Sequence, residues 1–553
     1  MDAEQQEPLT TTQVVVAGGG PAGLAVAVEL GSRGISVVVL EPRTEVSMDR
    51  PRAKTTSVRT MEHLRRWGLA DRLRNVAPLP VAWSQDAMFA TSVTGREITR
   101  FHECLGLTPD RRDDYAEAGQ QVPQPIVEQV LRDALAEYPN VRLASGWSLI
   151  GLEQAADRVI VAASDPDGTV HRIEAAYLLG CDGAASATRH AVGAFFEGAT
   201  DGRPNFSMVF RSAGLAALIP HAPAIHYWVL DPSVPGLVGR MNLDDMWWAM
   251  AMGVGADVGD ADPVRLIRAL IGPGGESIDI ELVSTDPWTA RMLNANTYQV
   301  GRVFLVGDAA HLNPPWGGHG FNTAIGDAVN IGWKLAAILQ GWGGAELLGT
   351  YERERRPIAA QTIDLATRNM RNLSTNFNDP LLSVDGAAGD ACRQQVAEAI
   401  QATKYAEFHS LGLVLGYHYG TSSLTVSDGS EEPTFDTSRY TPSGRPGARL
   451  PHLWLPDGRS IYDVLDRDFT LLVIDQRTST TAIVDAATQY GIPISVVDLA
   501  SFGCQGRELS NRYGATMLLV RPDQHVAWRT LLHRLDDAAA PRVIAVATGH
   551  ARS

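Results

Sequence analysis

The sequence predicts an α/β fold: a Rossmann-like domain interrupted by an inserted, mostly antiparallel β-sheet and followed by a small separate α/β domain. Three observations predict it. Near the start, the apolar run Gln13–Ala17 leads into Gly18-Gly19-Gly20-Pro21-Ala22-Gly23 and then an Ala/Leu/Val-rich stretch. Residues 205–300 break into short apolar runs dense in Trp and Met. The last ~110 residues repeat a strand–helix–strand pattern of their own.

The first element set reads as one βαβ start. Gln13–Ala17 and Val37–Leu40 are strands, and Ala22 to Arg33 is the helix between them. Gly18, Gly20 and Gly23 form G-x-G-x-x-G, with Ala22 beside the last glycine, and Glu41 follows 18 residues after Gly23. Glycines there let a pyrophosphate approach the backbone at a helix N-terminus, and an acid at the second strand's end accepts hydrogen bonds from a ribose. FAD and NAD both satisfy that pattern. Arg43 and the Asp49-Arg50-Pro51-Arg52-Ala53 run follow. These arginines read either as braces for a pyrophosphate or as solvated surface charge.

An amphipathic helix begins near Arg59, and residues 75–120 read as irregular and polar, with edge strands and loops. Gln124 stands at the entry of a helix from Ile126 to Tyr138, as a ligand-facing amide or a cap. Val141–Ala144, Val159–Ala163 and Val170–Ala175 read as antiparallel strands. Tyr177–Gly180 then ends at Cys181-Asp182-Gly183 before another helix.

In the inserted sheet, Trp228, Met241, Trp247, Trp248, Met250 and Met252 lie on short strands. They form an ordinary core or wall an apolar ligand pocket. The chain then reaches the stretch around which the rest is organised, residues 301–337. The strand Val303–Val306 ends at Gly307-Asp308, where α/β sheets place ligands. A loop through Pro314-Pro315-Trp316-Gly317-Gly318-His319-Gly320 precedes a helix opening at Phe321-Asn322-Thr323. Small residues before a helix N-terminus let a flat ligand approach the backbone, and the helix dipole there favours negative charge. A long helical run to Met370 follows, then a looser segment with one helix at Ala391–Tyr405. In the tail, Phe469–Ile474 and Ile494–Val497 are strands around a helix, and Thr516–Val520 forms a hairpin with His525–Trp528.

Bulk properties narrow the function. The formal net charge of −16 argues against nucleic acid and anionic membranes as partners. Cys104, Cys181, Cys392 and Cys504 form no CxxC pair, which fits a reducing cytoplasm and gives no metal or dithiol signature. The acidic, polar start MDAEQQEPLTTT is no signal peptide, and no apolar run reaches membrane-spanning length.

The glycine fingerprint at 18–23, Cys181-Asp182-Gly183, and Gly307-Asp308-Ala309-Ala310-His311 with Pro314-Pro315 and Gly318-His319-Gly320-Phe321-Asn322 occur together and in that order. Over roughly residues 12–370 the chain resembles the single-component FAD-dependent aromatic hydroxylases of the p-hydroxybenzoate hydroxylase fold. Its tail is thioredoxin-like but lacks a cysteine pair, which favours a packing or homodimer role. The whole looks most like the phenol 2-monooxygenase and 2,4-dichlorophenol 6-monooxygenase branch. The expected division is an FAD-binding domain at 1–204 and 301–372, a substrate-binding sheet at 205–300, a linker at 373–444 and a thioredoxin-like domain at 445–553.

The resemblance implies a small aromatic substrate, FAD as cofactor, NADPH or NADH as co-substrate, and O2 activated as a flavin C4a-hydroperoxide. Glu41 is implied at the FAD ribose, Gly18, Gly20 and Gly23 at the pyrophosphate with Arg52 nearby, and Gln124 beside the flavin. Asp308 is implied at the ribityl or phosphate region, with Gly318 and the backbone of Gly320, Phe321 and Asn322 at the pyrimidine edge. Asp182-Gly183 matches a segment linked to FAD and NAD(P)H, and Pro315 matches a carbonyl set against the substrate hydroxyl. His319 departs from the Gln or Lys expected there. Trp228, Met241, Trp248 and Pro315 are the substrate-contact candidates, and His226 and Asp49 the candidates for proton acceptor. With no arginine placed to hold a carboxylate, an uncharged phenol is expected. Baeyer–Villiger oxygenation by the same fold, a nicotinamide dehydrogenase and a non-catalytic nucleotide-binding protein are the competing readings.

Overall fold

The computed structural model describes residues 10–50, 52–254, 262–373, 377–504, 507–536 and 538–551. Most of the polar N-terminal segment and Pro51 of the arginine run lie outside them.

The strand Thr11–Ala17 runs through the middle of the first sheet because Val14, Val15 and Val16 have no access to solvent on either face. Continuous β-branched runs of this kind suit parallel strands covered on both sides. Its parallel neighbours are Val37–Glu41 and Val170–Gly180, with Val14 opposite both Val37 and Tyr177. Val303–Leu305 and Val141–Ser145 extend the parallel sheet outward. The 141–145 segment is thus parallel, correcting the antiparallel expectation. Ser148–Gln154 and Val159–Ser164 run antiparallel, folding back along the long strand Val170–Gly180, and the short edge strand Gln299–Val300 pairs antiparallel with Val303–Leu305. Ser148–Gln154 has no counterpart among the expected strands, because its side chains are half-buried or exposed and its apolar residues Leu149, Ile150 and Leu152 do not alternate. The helices Pro21–Gly31 and Gly320–Leu339 pack together over one sheet face.

The second sheet has eight strands, in the order 311–312, 281–295, 196–211, 246–252, 236–240, 226–229, 87–90 and 97–101. Segment 75–120, expected to hold edge strands and loops, supplies Glu97–Phe101 at the sheet's edge and Ala87–Ala90 one place inside it. Ala87–Ala90 is fully buried, and as a four-residue apolar run it is too short to show a period. Phe196–Arg211 is far longer than the short strand expected at Met208–Arg211, its partner Glu281–Ala295 has no counterpart among the expected strands, and a bulge between Thr200 and Pro204 interrupts their pairing. Alternation divides the sheet. Trp247, Phe210 and Ala249 face the helix Pro263–Ile271, while Trp228, Trp248 and Met250 face the first domain. The helix Ala387–Phe408, longer than expected, closes that second face with Val396, Ile400 and Phe408.

The C-terminal unit is a four-stranded sheet in the order 494–498, 469–473, 517–520 and 526–530, covered by helices Thr481–Gln489 and Ala539–Ala547. It is fastened to the first domain by buried ions. Glu354, on helix Thr350–Leu373, binds Arg521 through two 2.8 Å bonds and Lys334 at 2.7 Å. Arg449 and Arg59 converge on Glu62 at 2.5 and 3.0 Å. Among the described residues no helix is long and apolar enough to cross a membrane, and no cluster of His, Cys, Asp or Glu could hold a metal.

Candidate active site

Each glycine of the first loop answers to a different contact. Gly18 has φ +102°, and a Cβ there would lie 2.4 Å from the Cys181 carbonyl oxygen. At Gly23 a Cβ would lie 1.9 Å from the Gly18 carbonyl, so this glycine permits helix and strand to touch. Gly20 is different, for nothing lies within 4 Å of its missing Cβ and it borders open space. Helix Pro21–Gly31 starts there with no side-chain cap, so its first N–H groups remain available to an anion.

Asp327, buried in helix Gly320–Leu339, sets the position of the Gly307-Asp308 turn. It accepts hydrogen bonds from Gly307 N–H at 3.2 Å and Arg355 Nε at 2.7 Å, and meets His311 Nε2 at 2.7 Å. Burial would raise the Asp327 carboxyl, but His311 and Arg355 outweigh it and hold the group below its ordinary range. Asp308 itself makes no side-chain hydrogen bond among the described residues. Its carboxylate opens onto a cavity, and enclosure by protein raises its pKa against the opposing pull of His311 and Arg52. Arg52 stands opposite with φ +42°, a left-handed backbone that costs roughly 1–3 kcal/mol in a non-glycine residue.

Asn322 shapes the other lip. Its Nδ2 donates to the carbonyls of Gly318 and Thr55, at 2.7 and 3.1 Å. Its Oδ1 accepts from Ser57 N–H and Thr60 Oγ1, both at 2.8 Å. With both ends of the amide engaged, the side chain ties three segments together, leaving its backbone in the helix's first turn. Gly318, at φ +68°, has only Thr55 near its missing Cβ, at 3.9 Å, and Gly320 has only Asn313, at 3.7 Å. The helix dipole points its positive end into this open strip.

A cavity of about 590 Å³ joins these parts, from Gly20, Ala22 and Asp308 at one end to the second sheet at the other. Arg52, Gln124, Gly318, Gly320 and Phe321 line its middle. Trp228, Trp248, Met250, Trp288, Trp316 and Phe408 form the apolar end. Trp228 is fixed by stacking on Phe89, with centroids 5.3 Å apart and planes within 10°. Trp288 Nε1 donates to Ser207 Oγ at 2.9 Å.

Several expected site residues stand apart from this wall. Met241 lies past the end of strand Gly236–Arg240, in the turn closed by its N–H to the Met246 carbonyl, and does not line the cavity. Asp182 caps the following helix, accepting from Ser186 Oγ at 2.5 Å and from Thr188 N–H and Oγ1 at 2.8 and 2.9 Å. Glu41 is buried behind the loop, bound to Gly19 N–H at 2.7 Å and Arg43 Nε at 2.7 Å. Arg43 also reaches Glu128 at 3.2 Å, and Gln124 Nε2 donates to the same carboxylate at 2.8 Å. The Pro315 carbonyl is on the wall, with one lone pair already taken by Gly318 N–H at 3.1 Å.

The two candidate proton acceptors differ. Asp49 is exposed at the cavity's edge. His226 is on the wall, but burial, with the Lys54 charge second, pulls its pKa down to about 3. The imidazole is therefore neutral and too weak a base to take a phenol proton, although it can accept a hydrogen bond. His319 is likewise kept neutral, at about 4, by burial. Sequence reasoning missed Lys54, Trp288, Trp316, Glu407 and Phe408. The last two come from the segment read as linker, where nothing local signals a lid. Lys54 stands immediately after the arginine run, where a single lysine carries no motif.

The open strips at Gly20, Gly318 and Gly320, the unbonded Asp308 carboxylate and two uncapped helix starts on one cavity fit a dinucleotide flavin. Comparison with known proteins agrees. An FAD binding domain matches residues 11–366, and an aromatic-ring hydroxylase C-terminal domain matches residues 443–549. The 2,4-dichlorophenol 6-monooxygenase of Delftia acidovorans is 32% identical over 572 residues, covering 94% of this chain and 95% of the relative. The phenol 2-monooxygenase of a Pseudomonas species is 30% identical over 583 residues, covering 96% and 91%. The solved structure of the rebeccamycin biosynthetic enzyme RebC with reduced flavin superposes with a TM-score of 0.88 at 32% identity, covering 98% of this chain and 99% of that one. Fold, cavity and likeness across both domains lead to one conclusion: the chain belongs to the FAD-dependent aromatic-ring hydroxylases, and it is a flavin monooxygenase.

Proposed function

We propose that this enzyme takes NAD(P)H and O2 and adds one oxygen atom to an electron-rich phenolic ring held against the Trp/Met face of the second sheet. The observation that carries this reading is the continuity of one cavity from Gly20 and Asp308 to Trp228 and Met250. The balanced reaction takes an aromatic C–H, O2, NAD(P)H and a proton to the hydroxylated ring, water and NAD(P)+.

When bound, FAD supplies the electron acceptor for NAD(P)H and the centre at which O2 is activated. The protein's part is placement and exclusion. First-turn N–H groups at Pro21–Gly31 and Arg52 hold the pyrophosphate. Asp308 accepts hydrogen bonds from the polyol chain. The N–H groups and dipole at Gly320, Phe321 and Asn322 favour negative charge at the pyrimidine edge. Trp228, Trp248, Met250 and Phe408 exclude water beside the reacting ring. The free lone pair of the Pro315 carbonyl can accept the substrate's O–H.

The test is a screen of phenols for substrate-stimulated NAD(P)H oxidation and O2 uptake, with the product's mass measured. The expected product is one oxygen heavier than the substrate and retains its aromatic ring. Oxidation of NAD(P)H yielding only hydrogen peroxide across the panel would remove the reading.

A further inference from the structure

Lys54 stands on the cavity wall between the loop of Arg52 and strand Thr55–Thr56. Two contacts fix its ammonium. Nζ donates to the Arg52 carbonyl at 2.9 Å and lies 4.2 Å from the ring centroid of Trp248. The Trp248 ring in turn meets His226 edge to face at 5.5 Å. An ammonium has three N–H donors, and the Arg52 carbonyl takes one. Among the described residues no carboxylate pairs with Lys54. Glu407, on the same cavity, is bound at 2.8 Å by Lys404, and Asp308 is influenced by Arg52 and His311 instead. Lys54 is half-buried, and a cation without a counter-ion beside a largely apolar wall is better satisfied when an anion arrives to meet it.

From this geometry we infer that Lys54 is the receptor for an oxyanion on the aromatic substrate, so that the ring is bound as a phenolate or an aryl carboxylate instead of as an uncharged phenol. The inference rests on the proposed hydroxylase reading and names the substrate class for that site. Two routes reach the same ion pair. A phenolate binds the ammonium directly, or a phenol O–H bond breaks as its proton forms an N–H bond on the neutral amine. In both, one positive charge on Nζ faces one negative charge on oxygen, and no redox partner is needed. A phenolate oxygen pushes electron density into the ring, which is what an electrophilic oxygen donor requires. Burial alone brings the Lys54 pKa down to about 8, so both protonation states are accessible near neutrality.

The charged and titratable groups that line the cavity with Lys54 are Arg50 and Arg52 on its own segment, Arg291, His226, His319, Asp49, Asp286, Asp308 and Glu407, and of these His226 feels the Lys54 charge while His319 is held neutral by burial. His226 remains neutral over the working range. Carboxylates and guanidinium groups ordinarily titrate outside roughly pH 7–9, which leaves Lys54 as the group changing charge there.

The test uses the FAD-loaded enzyme with two probes. One is 4-nitrophenol, followed by the visible band of its phenolate at a pH where the free compound is neutral. The other is benzoate, an anion throughout, followed by perturbation of the flavin spectrum. With a phenolate-binding site, 4-nitrophenol shows its phenolate band on the wild type and loses it in Lys54→Met, at an unchanged ratio of flavin to protein. With a carboxylate-binding site, that band is absent, and benzoate affinity falls at least tenfold in Lys54→Met. Wild-type benzoate binding is a readout independent of any variant's folding, and it weakens as pH rises through about 8 because the ammonium is lost. Lys54→Gln, neutral and polar, behaves as the Met variant does. Flavin content at the wild-type level with both probes binding independently of Lys54, or benzoate binding flat from pH 7 to 9, overturns the inference while leaving the hydroxylase reading intact. Loss of FAD-dependent turnover with every phenol in the wild type would instead strike at that reading.

Discussion

Glu354 of the first domain receives Arg521 of the C-terminal domain through two parallel 2.8 Å hydrogen bonds, with both side chains shut off from water. Arg521 is shared with Asp523, at 2.6 Å, and Asp523 also accepts from Trp333 Nε1 at 3.2 Å. Removing one member leaves buried charges uncompensated. Glu354→Gln leaves Lys334 without its carboxylate and Arg521 with Asp523 alone, and a cost of about 3–5 kcal/mol is expected from breaking such a network. Denaturant unfolding should show a correspondingly lower midpoint. A variant unfolding at the wild-type midpoint would mean that the Glu354 network adds nothing to the joining of the domains.

Two glycines of the loop, Gly20 and Gly23, separate folding from binding. Gly23→Ala drives a Cβ to 1.9 Å from the Gly18 carbonyl, so helix and strand must part, and lost stability is expected first. Gly20→Ala places its methyl where nothing stands within 4 Å. The expected result there is an unchanged unfolding midpoint with at least a tenfold weaker hold on FAD, because the methyl occupies space the pyrophosphate needs. Equal FAD content in Gly20→Ala and wild type would show that the cofactor does not pass this residue.

These contrasts show what a sequence makes legible. The βαβ start was readable because one local fingerprint joins strand, glycines and helix, and the Gly307–Asn322 stretch because its turn residues lie side by side. The wall opposite was harder. Ala87–Ala90 pairs with His226–Val229 across more than a hundred residues, and four apolar residues carry no period. Phe408 reaches the cavity only because helix Ala387–Phe408 crosses the second sheet. Asp182 and Glu41 look like ligand-facing acids in sequence, and the fold adds that each also accepts hydrogen bonds from the chain, Asp182 from Thr188 and Glu41 from Gly19 and Arg43. Which way a carboxylate turns is settled by neighbours that only the fold supplies.

Mild acid should destabilise the enzyme before its carboxylates titrate. His319, His452 and His525 are buried and held near about 4 by desolvation, and His63 is pulled well below its ordinary value by the same cause. Their folded pKa values lie below that of an unfolded histidine, roughly 6.5, so the unfolded chain takes the protons first. The stability they contribute is whole above that value and is lost as pH falls toward about 4. Each group can lose about 1.4 kcal/mol per pH unit in that window. Thermal midpoints should drop steeply between roughly pH 6.5 and 5. A flat profile there would show that these rings are protonated or open to water in the native state.

Asp308→Ala should lose FAD. The carboxylate is the acidic acceptor on the turn that Asp327 and His311 hold in place, and it makes no hydrogen bond to the protein among the described residues. Its removal subtracts a ligand contact without stranding an internal partner. The flavin-to-protein ratio after gel filtration is the measurement. A stoichiometric ratio in the variant would place the cofactor's polyol chain elsewhere.

Trp228→Phe should alter which rings are accepted while leaving FAD in place. The indole is 4% exposed, stacks on Phe89 and meets Phe408 edge to face at 6.2 Å, so it is a rigid part of the substrate end. A phenyl ring keeps the stack but withdraws the outer edge of the indole from the cavity. Ring-substituted phenols that are poor substrates for the wild type should gain in kcat/KM relative to phenol itself. A change of one or two methylene-sized groups in an apolar pocket is worth roughly 1–3 kcal/mol of discrimination, a tenfold effect or more. The shift should appear in the ratio between substrates, because the flavin end of the cavity, at Gly20 and Asp308, is untouched. An identical ranking across the panel would move the substrate off this face of the sheet and towards Trp288 and Trp316.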